Sequence, residues 1–585
     1  MRAIGWQSGA GRTANAVPGD LFDSFLKEWS RRDFLRRLGS AAAFSAFLAG
    51  GGALLEACAN GGGANPTPRS PVKGGKLVEG QTFDIATLNP FIAVDGYSQL
   101  LAAQLFDPLM AARGNGDPVP ILASAPPKVS SDGTTYTFSL RKDAEWTDGQ
   151  PITSDDVTWS FGLTFDPRYK AFKYPGRATA EAGIKSVSAP DPYTFVVQFT
   201  RVDPSFAVGA AEFGILPKHV LGSMSPAELN TASFNSNPTV TSGPFKLNRW
   251  ETGQHLIFDR NPKYYRGPAY LSTYVFKVLG QASAAVNGLL TGELDLAVVT
   301  DPGALSQVQS APNLSTTVLP IALGNFLAYQ LNPSRPASRL FTDKRVRQAL
   351  FYALDLAQIV KAVYFGFADP GLSVEPPTSW AFTTKGVPKY GYDPQKAASL
   401  LDAAGWKLNS SGVRENNGTQ LSFELQLGNQ QVTISLATAM QEAWKKIGVN
   451  ITLKPLASAA YLSALRTQKD FTALLGSILW GADPDVSRLY LSSQTGPGGA
   501  NSAGYQNAQL DAIFNDALNT TDREKRKQLY AQAQQILMDD LPEPPLLWQK
   551  QIWSYNKRVQ GLQLGTYSLF RERYWMNQVW VSDGK

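Results

Sequence analysis

Cysteine and histidine are almost absent from this chain: Cys58 stands alone, with His219 and His255, in 585 residues. A single cysteine excludes a disulfide framework and a thiolate metal cluster. Neither histidine has a Cys or Asp/Glu neighbour at ligand spacing, so no dedicated transition-metal site and no cofactor are expected. Hydrolase signatures are missing too, with neither a Gly-x-Ser-x-Gly elbow nor a His-Glu-x-x-His helix. Gly496-Pro497-Gly498-Gly499 lacks the Lys-Ser/Thr of a phosphate loop. The reading is therefore not an enzyme, with a secreted hydrolase only a remote alternative. Charged residues are 17% of the chain and the formal charge is +6. No Lys/Arg run beyond the N-terminal segment makes a nucleic-acid stripe. Nor is there a run of ~20 strongly apolar residues, the length a membrane span needs.

What is present begins with Ser30-Arg31-Arg32-Asp33-Phe34-Leu35-Arg36, followed by a mildly apolar stretch to Leu55 broken by Gly50, Gly51 and Gly52. Arg31 and Arg32 with Phe34 and Leu35 fit a twin-arginine export signal. Leu55-Glu56-Ala57-Cys58 resembles a lipobox, Glu56 being a departure from its usual small or uncharged residue. Residues 1–57 are thus expected to be a signal peptide and Cys58 a lipidation site. Residues 58–75, rich in Gly, Asn and Pro, read as a flexible tether. The expected product is an exported lipoprotein on the outer face of the cytoplasmic membrane, in the periplasm or at the cell surface. With 43% apolar and 11% aromatic residues, the body is globular.

That body is mixed. Tyr136, Phe138 and Leu140 alternate with polar residues as in a half-buried strand, and so do Tyr193, Phe195, Val197 and Phe199. Val346, Ala349, Leu350, Ala353, Ala357 and Val360 fall at helical spacing behind Asp343, a plausible N-cap. Asp393-Pro394 opens a second helix that Gly405 closes; Ala437, Met440, Trp444 and Ile447 stripe a third, stopped by Gly448. A fourth runs through Leu529, Ala533, Ile536 and Leu537 to Pro542. Trp146-Thr147-Asp148-Gly149 predicts a tight turn, with Ser154 or Asp155 capping the next helix. Interleaved helices and strands imply α/β layers.

Further blocks carry a resemblance. Thr87-Leu88-Asn89-Pro90, Leu105-Phe106-Asp107-Pro108-Leu109, Trp146-Thr147-Asp148-Gly149, Ser242-Gly243-Pro244-Phe245, Gly292-Glu293-Leu294-Asp295 and the Asp343–Ala349 segment follow one another in order. With Asn501–Asp511 and Leu541–Pro545 they span about 500 residues. The chain resembles the extracytoplasmic solute-binding proteins of ABC importers, in the peptide/nickel/oligosaccharide-binding family, dipeptide- and oligopeptide-binding group. The resemblance implies two α/β lobes of the periplasmic-binding-protein kind, with a ligand cleft between them. Lobe I would comprise 76–325 plus 546–585, with an extra subdomain near 111–240, and lobe II would comprise 326–545. It implies as partners a peptide or other small solute and a membrane permease with its ATPase, and it implies a monomer. An oligosaccharide, opine or chelated metal is the alternative ligand.

Recognition is expected at Trp480-Gly481-Ala482-Asp483-Pro484-Asp485. An apolar run ends there in a small turn that sets an aromatic wall beside a carboxylate, suited to an ammonium-bearing ligand. By resemblance an aspartate at this place pairs with a peptide's α-amino group. Asp483 matches by its distance from Trp480, and Asp485 is its rival. Tyr97, in the loop after the opening strand, and Asn501 and Tyr505 match family positions near the cleft.

Overall fold

The computed structural model describes residues 70–93, 95–112, 117–170, 183–496, 498–564 and 576–585. The expected signal, with Arg31 and Arg32, Cys58 and the first part of the tether lie outside the described residues. Among the described residues no helix is long and apolar enough to cross a membrane.

Local signals become the expected elements in most places. Thr135–Ser139 and Thr194–Phe199 are neighbouring antiparallel strands that bury Phe138 against Phe195. Asp343, Asp393 and Asp522 each cap a helix by accepting a backbone N–H in its first turn. Gly448 follows helix Gln431–Lys445 at φ 79°, where a side chain would meet Leu408 and Arg414.

Two expectations are corrected. The stripe from Val346 to Val360 is not one helix: it breaks into Lys344–Tyr352 and Leu356–Tyr364, because the Asp355 carboxylate accepts the Gln358 N–H and starts a new first turn. The helix after the Trp146–Gly149 turn is capped by neither Ser154 nor Asp155. Thr153 and Asp156 form a reciprocal capping box instead.

One eleven-stranded sheet runs through the protein. At one end Asn450–Leu456, Ser422–Gly428 and Ala473–Leu479 are parallel. At the other, Lys76–Gln81 lies parallel between Leu296–Val298 and Thr273–Val278, and His255–Arg260 and Phe245–Glu251 continue antiparallel. Two long antiparallel strands, Leu314–Tyr329 and Pro545–Asn556, join these halves. Leu314–Tyr329 pairs with Ala473–Leu479 of the first half, Pro545–Asn556 pairs with Leu296–Val298 of the second, and the two long strands pair with each other along most of their length. Their mutual register slips between Pro320 and Gly324, where proline offers no N–H to the ladder. Gly324 is needed there, since a Cβ would lie 2.5 Å from the Phe326 ring and 2.7 Å from that of Trp548. The expected lobe boundaries at 325/326 and 545/546 fall at one end of these two strands.

Each half has its own core. One gathers residues between Leu77 and Phe276 and takes in Val559, Met576, Val579 and Val581 from the C-terminal tail. The other gathers Ala322 to Trp548, around Trp444 and Trp548. A separate four-stranded sheet, Lys128–Val129, Thr135–Ser139, Thr194–Phe199 and Ile184–Asp191 in that spatial order, packs Phe138, Phe195 and Phe199 around Phe161 and Phe206. This apolar body holds up the loop from Asp203 to Gly209, which forms one wall of the site.

Candidate functional site

Strand Ala473–Leu479 ends at Trp480, whose N–H donates to the Ala322 carbonyl at 2.8 Å. The Trp480 ring stacks on Phe326 (centroids 4.8 Å apart, 7° between planes) and meets Trp548 edge-on at 5.5 Å. Only 4% of Trp480 is exposed, so it is a core residue that also shows a face to a cavity. Rings held on two sides stay in one orientation, which makes this wall rigid.

The cavity measures about 380 Å³. One wall is the segment from Ile478 to Leu489, including Trp480, Gly481, Asp483 and Asp485, with Arg466 and residues 498–500 beside it. The other wall is Ser205, Val208 and Gly209, carried by the other core. Ala112, Val208 and Ala482 close an apolar contact between the walls. Each lobe therefore contributes a side.

The acids of this site have unequal surroundings. Asp483 accepts both arms of the Arg526 guanidinium, Nη2 to Oδ1 at 2.5 Å and Nη1 to Oδ2 at 2.7 Å. The side chains of Arg526 and Asp483 are 5% and 11% exposed. Asp485 accepts the Ser487 N–H at 3.0 Å. Burial, and then the neighbouring Asp483, push its pKa above the usual carboxylate range. Asp203, from the opposite lobe, accepts the Ser205 N–H and Oγ–H. Burial pushes it to about 6, with Asp483 and Asp485 adding to the rise against the Ser205 bonds. Glu375, 1% exposed, is pushed to about 8 by burial; Ser379 and the Trp480 indole pull it back, and Asp483 and Asp485 raise it.

The remaining expected residues fall elsewhere. Tyr97 donates from its hydroxyl to Gln81 Oε1 at 3.0 Å and stacks on the exposed Phe83 at 5.2 Å, outside the cavity wall. Asn501, fully buried, accepts the N–H groups of Gly504 and Tyr505 and donates to the Leu491 and Tyr505 carbonyls. The Tyr505 hydroxyl donates to Asp540 at 2.6 Å. Both tie the loop to neighbouring elements and neither lines the cavity. Sequence reasoning missed Asp203, Ser205, Arg466, Glu375 and Arg526. Arg526 alone left a trace: with Tyr530, Ala533 and Leu537 it lies on the buried face of its helix, unlike its exposed neighbours Arg523, Lys525 and Lys527. Among the described residues no group of three or more His, Cys, Asp or Glu is placed to hold a metal ion.

Two lobes, two crossing strands and a cavity walled from both sides define a solute-binding protein of the periplasmic type. Residues 117–502 match the bacterial extracellular solute-binding proteins, family 5 (middle region), and the chain belongs to that family. It is 28% identical over 537 residues to the oligopeptide-binding protein AppA of Bacillus subtilis, covering 90% of this chain and 96% of that one. The structure of B. subtilis AppA in complex with a nonapeptide superposes with a TM-score of 0.73 at 27% identity, covering 88% of this chain and all of the other. NikZ of Campylobacter jejuni, in complex with Ni(L-His), gives 0.72 at 28% identity, covering 86% and 99%.

Proposed function

We propose that this chain is the receptor of an ABC importer for peptides, and that it captures them by closing its lobes on the cavity beside Trp480. The observation that carries this reading is a cavity with one wall from each lobe, an aromatic face and carboxylates on one side, in a chain similar to peptide-binding AppA over nearly its whole length. Contacts to both walls exist only when the walls meet, so a ligand shifts an open–closed equilibrium by its differential affinity. Trp480, Gly481 and Asp485 are the ligand-facing residues of this reading. Asp483 lies on the same wall with its carboxylate engaged by Arg526. Tyr97, Asn501 and Tyr505 act from outside the cavity, Asn501 and Tyr505 by holding the loop. Lobe I is 76–325 with 546–585, and lobe II is 326–545.

The rest of the reading follows from the N-terminal segment. Export through a twin-arginine signal and acylation of Cys58 would keep a monomeric receptor close to its permease and ATPase, raising its local concentration there. No catalytic step is assigned.

A chelated metal is the second reading, favoured by the likeness to NikZ with its Ni(L-His). A chelate brings its own ligands and needs no protein metal cluster. Native mass spectrometry of residues 59–585, purified gently from rich medium, separates the two. A ladder of bound short peptides supports the first, and one metal-containing or sugar mass replaces it.

A further inference from the structure

The segment Gly496-Pro497-Gly498-Gly499 is no phosphate loop, yet Gly498, Gly499 and Ala500 line the cavity. Two glycines and an alanine bring main chain, with almost no side chain, up to a ligand. The Gly499 N–H donates to the Gly496 carbonyl at 3.2 Å, and the Asn501 N–H donates to the Gln494 carbonyl at 3.1 Å. Gly498 lies at φ 76°, and a Cβ on Gly499 would run into the Gln494 carbonyl oxygen.

Drawn in this tightly, the carbonyls of Gln494, Thr495 and Gly496 converge on one point, which the Lys469 ammonium occupies. Its Nζ donates to them at 3.3, 3.1 and 3.0 Å, one acceptor for each of its three N–H bonds. No carboxylate pairs with it among the described residues. The Lys469 backbone is held as well. It is left-handed at φ 49°, unusual for a residue with a Cβ, and its carbonyl accepts from the side-chain amide of buried Gln330 at 3.0 Å, just past the crossing strand Leu314–Tyr329. Three residues before Lys469, Arg466 donates to the Ala500 carbonyl at 3.0 Å. Two cations of one segment thus hold the bend on either side of its cavity-lining glycines. Their closeness is unfavourable in itself: burial, and then Arg466, keep the Lys469 pKa below the usual lysine range.

We propose that Lys469 is a positioning residue of the cleft: its ammonium is an internal cation that gathers the three carbonyls and so sets the main-chain wall of Gly498, Gly499 and Ala500 where a captured ligand meets it. The inference rests on the reading of this cavity as the peptide cleft and deepens it.

Lys469→Gly suits φ 49°, removes the cation and leaves room for a small amine. Calorimetric titration of residues 59–585 with tetra-alanine, and hydrogen exchange at the Gly499 and Asn501 amides, test the role. Lys469→Gly should weaken binding at least about tenfold and speed exchange at both amides at least about tenfold. n-Propylammonium, close in length to the missing side chain, should bring both within about threefold of the parent measured in the same amine; sodium at equal ionic strength should restore neither. Lys469→Met, which keeps the bulk of the stem without the charge, should be weakened alike and gain nothing from the amine. The proposal is overturned if either variant binds tetra-alanine as the parent does, or if the amine restores nothing to Lys469→Gly. Should the parent itself not bind tetra-alanine, the peptide reading fails and exchange alone decides this one. Rates raised in Lys469→Gly and lowered again by the amine support the positioning role, while parent-like rates or no recovery overturn it.

Discussion

Glu375 gives the sharpest physical test of the structure, because its effect depends on pH in a way that packing does not. Its carboxyl is buried behind Trp480 and titrates at about 8 instead of 4.5. The folded state therefore binds this proton more tightly than the unfolded chain does. Below about pH 4.5 both states are protonated and Glu375 costs nothing. As pH rises through the window from 4.5 to 8, the unfolded chain releases the proton while the folded protein must keep it, so stability falls; above 8 the loss is complete. Each pKa unit is worth about 1.4 kcal/mol, which sets the full loss at about 5 kcal/mol as an upper limit. Glu375→Gln keeps the shape and removes the titration. Urea unfolding followed by tryptophan fluorescence should find the two proteins within about 1 kcal/mol near pH 5. Near pH 8.5 the variant should be the more stable by several kcal/mol. Asp203 and Glu543, raised to about 6 and about 7, titrate in the same window but occur in both proteins, so the comparison removes most of their effect. A constant offset between the two stability curves across this range would refute the assignment of Glu375 as a neutral acid.

Trp480→Ala removes a ring packed on Phe326 and Trp548 and should cost about 3–5 kcal/mol in urea unfolding; Trp480→Phe should recover part of it. Gly243→Ala places a Cβ 2.4 Å from the Gln104 carbonyl oxygen, a backbone clash expected to destabilise by about 1–3 kcal/mol in the same assay. In the full chain, Cys58→Ser should move the protein from the membrane fraction to the soluble exported fraction. Arg31→Lys with Arg32→Lys should retain it in the cytoplasm; both are read by fractionation and immunoblotting.

The sequence was most legible where the controlling interactions are local. Alternation at Tyr136, Phe138 and Leu140 and the caps Asp343 and Asp393 act within a few residues, and each appears as read. Thr153 and Asp156 are equally local, but Ser154 and Asp155 beside them are as good caps by type, and only the reciprocal bonds separate the pairs. The wall from Trp480 to Asp485 was legible because its aromatic and acidic groups are contiguous. The facing wall was not: Ser205, Val208 and Gly209 carry no charge and approach Trp480 only through the tertiary fold. Arg526 was hidden for the opposite reason. It sits in a run of basic residues that reads as a solvated helix face, and only its register with Tyr530 and Leu537 turns it inward to Asp483.

How firmly the walls hold together without a ligand can be argued from what joins them. Beyond the cavity, Arg523 reaches Asp117 of the other lobe at 3.1 Å, but both side chains are about half exposed, and such a pair contributes at most about 1 kcal/mol. The apolar contact of Ala112, Val208 and Ala482 involves small side chains. Against these stands like charge: burial raises the pKa of Asp203, and Asp483 and Asp485 on the facing wall add to the rise. Weak attraction at the rim and like charge at the centre leave the closed arrangement dependent on what fills it. A ligand that brings a positive charge to the centre removes the opposing interaction and adds contacts to both walls at once. Closure, and with it the surface offered to a permease, is thereby tied to the chemistry of the captured solute.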